Sequence, residues 1–194
     1  MAKKKATPLW ISVLPLFVFL GIAGVSYSLL TQEGRDVSAL PSALLDVPAP
    51  KLQLPSLDGA TNASGVVPGI TPDSFDGRLS IVNIFASWCI PCREEHPQIV
   101  KLGADKRIQL IGLNHRDSAK NARAFLQELG NPYDLIGVDR NGRASIEWGV
   151  YGVPETFLVN QNGIVFYKHV GPISPEQLEK IILPLIEQQL SEPS

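Results

Sequence analysis

Apolar and polar positions divide this chain into two regions of different period. From Leu9 to Leu30 there is no alternation: 22 residues run without an Asp, Glu, Lys, Arg or His. A helix of about 20 apolar residues spans the hydrocarbon core of a bilayer, so this run predicts one transmembrane helix over 9–30. Pro15, Gly21 and Gly24 would weaken a helix in water but are tolerated in lipid. Further along, the pattern changes to strand-length apolar runs and helix-period segments separated by turn residues.

Leu79 to Ala86 is an apolar stretch, interrupted by Ser80 and Asn83, that reads as a buried strand, with the turn signal Asp76-Gly77 before it. Cys92 to about Gly103 reads as helix with Pro97 inside it, and Arg107 to Leu113 as the next strand. Apolar residues at Ala119, Ala122, Phe125, Leu126 and Leu129 recur with helical period, closed by Gly130 and Pro132. Leu135 to Val138 is a short strand and Arg143 to Trp148 a short helix. Asn160-Gln-Asn-Gly163 joins two apolar runs as a hairpin. Ser174-Pro175-Glu176 starts a last helix, which Pro184 should kink. Upstream, Lys51 to Gly59 alternates like a short edge strand, and Ala60 to Asp76 is a Gly-, Pro- and Ser-containing surface excursion. Strand, helix, strand, helix, strand, hairpin, helix predicts an α/β domain: a central mixed sheet flanked by helices.

Charge is placed unevenly. Lys3, Lys4 and Lys5 precede the apolar run, and the first acid is Glu33. A basic flank stays in the cytoplasm, so residues beyond about 30 are expected outside it. A cleaved signal peptide is the alternative, but its apolar core is only about 7–15 residues long and ends at a small-residue site; no Ala-x-Ala follows this run. The organisation expected is a basic stub over 1–8, an anchor over 9–30, a polar linker over 31–47 and a globular domain over 48–190. Net charge is −2, which gives no reason to expect a nucleic-acid partner.

Only two cysteines occur, in Trp88-Cys89-Ile90-Pro91-Cys92. Cys-x-x-Cys after a strand and at a helix start is the layout of a thioredoxin-like redox site. Cys89 would face unpaired N–H groups and the positive helix end, which favour thiolate; Cys92, one turn on, would resolve the mixed disulfide. Pro91 fixes the turn between the sulfurs. A structural disulfide is one alternative, but so small a ring removes little chain entropy. Zinc on Cys89, Cys92 and His96 is another, although His115 and His169 are distant in sequence and four ligands are usual. No metal or other cofactor is implied beyond the redox-active cysteine pair. The three histidines read as structural or surface residues.

A second constellation is Gly149-Val-Tyr-Gly-Val153-Pro154-Glu155-Thr-Phe157. A proline directly before an apolar strand cannot lie mid-sheet. In a thioredoxin-like fold it is a cis-proline beside the sulfurs, holding the backbone of Val153 open for an extended substrate. An ordinary trans proline at the strand entry is the alternative.

Trp88-Cys-Ile-Pro-Cys-Arg-Glu-Glu-His96-Pro97, Leu129-Gly-Asn-Pro-Tyr133 and the run ending Pro154-Glu155-Thr-Phe157 resemble the membrane-anchored thioredoxin-like proteins of cytochrome c maturation, the DsbE/CcmG family. The resemblance covers about 47–190 and the anchor. It implies a thioredoxin-like fold with an N-terminal extension and a central insert. It implies reduction of disulfides in apocytochrome c Cys-x-x-Cys-His segments, or in a thiol protein that handles them, with electrons from a membrane thiol transporter of the DsbD or CcdA kind. The domain would be a periplasmic monomer on a single-pass inner-membrane anchor. Cys89 would attack, Cys92 resolve, and Trp88, Pro91, Val153 and Pro154 line the substrate site. Thioredoxin carries a buried Asp six residues before its first cysteine; here that position is Asn83, which cannot take a proton. Glu155 is the first candidate for the missing base and Glu95 the second. Acids there raise thiol pKa values and favour a reductant over an oxidant. The alternatives are a general disulfide oxidase, isomerase or reductase of exported proteins, and a redox-inactive module that binds unfolded chains.

Overall fold

The computed structural model describes residues 9–30 and 44–191. They fall into two units, one in the N-terminal segment up to Asp36 and one beyond it. The first holds a single helix, α1 (Leu9–Leu30), with Pro15 inside it. Its described side chains cover 14–28 and are exposed on all sides, Phe17, Phe19, Ile22 and Tyr27 among them. That stretch is shorter than a bilayer span, and among the described residues no helix is long and apolar enough to cross a membrane. The stub and most of the linker, 31–43, lie outside the described residues.

The second unit is built on a six-stranded sheet. Its strands are β1 (Val47–Pro48), β4 (Ser80–Phe85), β5 (Gln109–His115), β6 (Leu135–Asp139), β7 (Glu155–Val159) and β8 (Ile164–Val170), in the order β1-β8-β7-β4-β5-β6. β4, β5 and β6 run parallel, while β7 and β8 pair antiparallel, so the sheet is mixed. All six residues of β4 are buried, as a strand covered on both faces must be.

Alternation sorts these strands into two cores. Ile81 and Phe85 on β4, Leu110 on β5 and Leu158 on β7 face α2 (Ile90–Ala104), α3 (Ala119–Leu129) and the C-terminal helices. Val82 and Ile84, Ile111 and Leu113, and Phe157 and Val159 face α4 (Arg143–Glu147), Trp148 and the segment that precedes β4. Burying each such side chain stabilises the fold by about 1.5–3 kcal/mol. Gly112 on β5 lies under the stacked rings of Phe85 and Tyr133, where a Cβ would come within 2.9 Å of Phe85.

Three expectations are corrected. The edge strand is 47–48, not 51–59: Val47 pairs with Val165, and 51–59 makes only an isolated bridge, Leu54 with Ile70. The domain therefore begins inside the expected linker, at least by residue 47. The segment 60–76 is not a surface excursion: Ala60 and Val67 are buried in one core and Ile70 and Phe75 in the other, and the segment holds a two-stranded ribbon, β2 (Thr61–Asn62) with β3 (Gly65–Val66). The last helix is not one element either. A capped turn, α5 (Pro175–Gln177), passes through a π-helical stretch (Leu178–Ile182) into α6 (Leu183–Ser191). The wider π turn directly precedes Pro184, whose missing N–H would break a regular α ladder.

Candidate active site

The site is set where β4 ends and β7 begins. Register pairs Ile84 with Glu155, so the chain leaving β4 toward α2 passes the chain entering β7. Cys89 is the N-cap of α2, and Cys92 is one turn in. The two sulfurs form a disulfide, with Cα atoms 5.3 Å apart. The Cys92 N–H donates to Cys89 Sγ at 3.1 Å. Pro91 has no amide to offer, so Cys92 supplies the donor that a Cys89 thiolate would use after reduction. Trp88 and Ile90, 57% and 72% exposed, flank Cys89 and project to solvent.

The loop before Cys89 is pinned from the turn that follows β5. Ser87 donates its N–H and its hydroxyl to Asp117, at 2.6 and 2.8 Å. The Trp88 indole N–H donates to the Arg116 carbonyl at 3.2 Å. Across the site, the Val153–Pro154 peptide is cis, and Val153 packs against the cluster that contains both cysteines. Tyr151 beside it is exposed. Trp88 and Ile90 on one side and Val153 on the other thus give the disulfide an apolar border.

Two acids near the site have different surroundings. Glu95 lies on α2 one turn beyond Cys92, hence on the same helix face, and is fully buried. Asn83 Nδ2 donates to it at 2.8 Å and the Ile173 N–H at 2.9 Å. Asn83 is itself saturated: its second Nδ2 hydrogen goes to Thr156 Oγ1, and its Oδ1 accepts from the Tyr133 hydroxyl at 2.7 Å. Burial raises the Glu95 pKa from 4.5 to about 7, and the two donors oppose that rise only in part. Asn83, which cannot take a proton, is therefore bonded directly to an acid that can. The same burial, with the nearby Glu95 charge, raises the Tyr133 hydroxyl well above its usual range.

Glu155 points the other way. Thr156 is the register partner of Asn83, so Glu155, one residue along, opens onto the opposite face of the sheet. Its Oε1 accepts from the N–H groups of Tyr151 and Gly152 at 2.8 and 3.2 Å. Its Oε2 lies 2.9 Å from Lys168 Nζ in a buried ion pair that lacks hydrogen-bond alignment. The first candidate base of the sequence is thus committed to a lysine on the far face, while the second belongs to the network beside the cysteines.

The remaining predicted residues are placed as follows. Pro97 is exposed on α2. His96 is buried, with Nε2 2.9 Å from the Gly130 carbonyl and its ring edge-on to Phe125; burial lowers its pKa. His115 adjoins Trp88 and bonds Ser145 Oγ at 2.7 Å. Lys168, Tyr133 and Asp117 were not foreseen. Lys168 had a signal: a lysine among the apolar residues of a strand needs an anion, and Glu155 opens the strand beside it.

This fold, with a two-cysteine ring at a helix N-terminus facing a cis-proline, defines a disulfide oxidoreductase with a thioredoxin-like fold. The profile of the Redoxin family matches residues 51–182. The thiol:disulfide interchange protein CycY of Rhizobium leguminosarum bv. viciae is 41% identical, over 94% of this chain and 96% of that one. The corresponding DsbE of Escherichia coli K12 is 39% identical, over 93% and 95%. A crystal structure of a thioredoxin-family thiol:disulfide interchange protein from Chlorobium tepidum superposes with a TM-score of 0.57 at 27% identity, covering 74% of this chain and 96% of that one. The chain belongs to the DsbE/CcmG family of thiol:disulfide interchange proteins.

Proposed function

We propose that the protein is an anchored reductant that opens disulfides in apocytochrome c Cys-x-x-Cys-His segments, or in a thiol protein that handles them, before haem is attached. The observation that carries the direction is Glu95. A buried acid one turn from Cys92 opposes a strongly stabilised thiolate whenever it is ionised. Strong oxidants of this fold instead have much lowered thiol pKa values. The names CycY and DsbE among the relatives support the cytochrome setting.

In the reducing direction, the Cys89 thiolate attacks one sulfur of the substrate disulfide. A mixed disulfide forms, and the other substrate sulfur leaves as a thiolate that takes a proton. Cys92 then gives its proton to Glu95 and attacks Cys89 Sγ. The second substrate thiol leaves, two electrons have passed to the substrate, and Cys89–Cys92 is closed. A membrane thiol transporter of the DsbD or CcdA kind would reopen it. Tyr151, Val153 and cis-Pro154 would receive the substrate as an extended strand.

The reduction potential tests the direction. Equilibrating the full chain in detergent with a dithiothreitol or glutathione buffer is expected to give about −200 mV or lower. A value near −120 mV, the strong-oxidant range, would make the protein a disulfide donor.

We also propose that residues 9–30 anchor the chain in the inner membrane, with Lys3 to Lys5 in the cytoplasm and the domain in the periplasm. The support is the length and apolarity of the run and its one-sided basic flank. The protein is expected to resist alkaline extraction from membranes; release into the soluble fraction would mean a cleaved or peripheral segment.

A further inference from the structure

The exchange mechanism leaves Lys168 unused, yet its contacts converge on the loop between α4 and β7. The side chain is 2% exposed. Its Nζ donates to the Gly149 carbonyl at 2.7 Å and pairs with Glu155 Oε2 at 2.9 Å. The Tyr151 ring lies over the same ammonium, 4.3 Å from it to the ring centroid, and the Phe157 ring lies at 5.1 Å. Glu155 Oε1 in turn holds the N–H groups of Tyr151 and Gly152. One buried lysine and one buried glutamate therefore fix residues 149, 151 and 152, the segment leading into Val153 and cis-Pro154.

A buried ion pair is poor evidence of added stability, since taking both charges from water offsets their attraction. What this pair supplies is geometry. The cation ties the exposed Tyr151 ring to strand β8. Without Lys168 the ring loses the cation beneath it and Gly149 loses its donor. The pair also faces away from Cys89 and Cys92, on the side of the sheet opposite Glu95. From these contacts we infer that Lys168, acting through Glu155 and Tyr151, is a positioning residue: it shapes the surface that receives the substrate chain and does not tune the sulfurs. The inference rests on the reading that residues 151–154 receive an extended disulfide-bearing chain.

The test compares the full chain with Lys168→Met and with the double variant Glu155→Gln/Lys168→Met, using a disulfide-bonded Cys-x-x-Cys-His peptide as substrate. The double variant removes both charges and so avoids stranding a buried carboxylate; it carries the test if the single variant does not fold. KM for the peptide is expected to rise about tenfold with kcat changed by less than about twofold, the mark of lost binding and not lost chemistry. The reduction potential and the Cys89 titration are expected to stay at their wild-type values. An unchanged KM in the folded double variant would overturn the inference, and so would a shift of the potential or of the Cys89 titration. A wild-type chain that does not exchange with the peptide would instead overturn the functional reading beneath it.

Discussion

Replacing Cys89 with serine is expected to abolish thiol–disulfide exchange, lowering turnover by roughly a thousandfold or more to the uncatalysed level. Cys89 occupies the one position where the helix start, the Cys92 N–H and the apolar border meet. A serine hydroxyl there can accept the same hydrogen bond and cap the helix, so the fold is kept while the nucleophile is lost. Cys92→Ser is expected to behave differently: Cys89 still attacks, nothing resolves the product, and a mixed disulfide with the substrate accumulates. Gel analysis without reductant distinguishes the two. A Cys89→Ser chain that kept full function would make the fold a redox-inactive binding module.

The second large effect belongs to Glu95. Its folded pKa, about 7, lies above the ordinary value of 4.5. Between these values the folded protein holds a proton that the unfolded chain has lost, so stability falls as pH rises. The contribution of the neutral acid is complete below about pH 4.5 and is lost as pH rises through about 7. The span corresponds to about 3 kcal/mol at most. Glu95→Gln stays neutral at every pH and is expected to be the more stable form at pH 8, less about 1 kcal/mol if one of the two donors goes unmet. At pH 5 that advantage should vanish. Urea unfolding of both proteins at the two pH values measures the difference; a gap that does not change with pH would mean that Glu95 does not titrate there. The same variant is expected to slow resolution of the mixed disulfide near neutral pH, because Cys92 loses its proton acceptor.

The sequence disclosed the reaction more readily than the environment that tunes it. Strand β4, the helix start and the cysteine pair follow from local signals: an apolar run, a turn, and Cys-x-x-Cys with a proline between. Pro154 could be placed because Cys-x-x-Cys points to a thioredoxin-like fold, in which the proline before this strand lies cis beside the sulfurs. The roles of Glu95 and Glu155 could not be separated that way, since both are acids near the motif. Their difference lies in strand register, which sets Glu155 on the far face and Thr156 toward Asn83. Tyr133 stands out in the sequence only as part of a motif; its reach to Asn83 depends on packing between segments distant in the chain. The edge strand was misplaced because two residues, Val47 and Pro48, carry too little pattern to outweigh the longer alternation after Lys51. Only their partners on β8 define them as a strand.

That pairing bears on how the protein is made. The first residues to join the sheet close against one of the last strands to be synthesised, and Glu95 depends on Ile173, which emerges later still. Such long-range closure is slow compared with local helix formation. In a chain threaded across a membrane from its N-terminus, the cysteines would reach the far side well before β7, β8 and the C-terminal helices arrive to enclose them. For that interval they are ordinary thiols on an open chain, exposed to whatever oxidants the compartment holds. Because the two are so close in sequence, oxidation there yields the same small ring as in the finished protein. With no third cysteine in the chain, premature ring closure would leave no misplaced intramolecular bridge to undo.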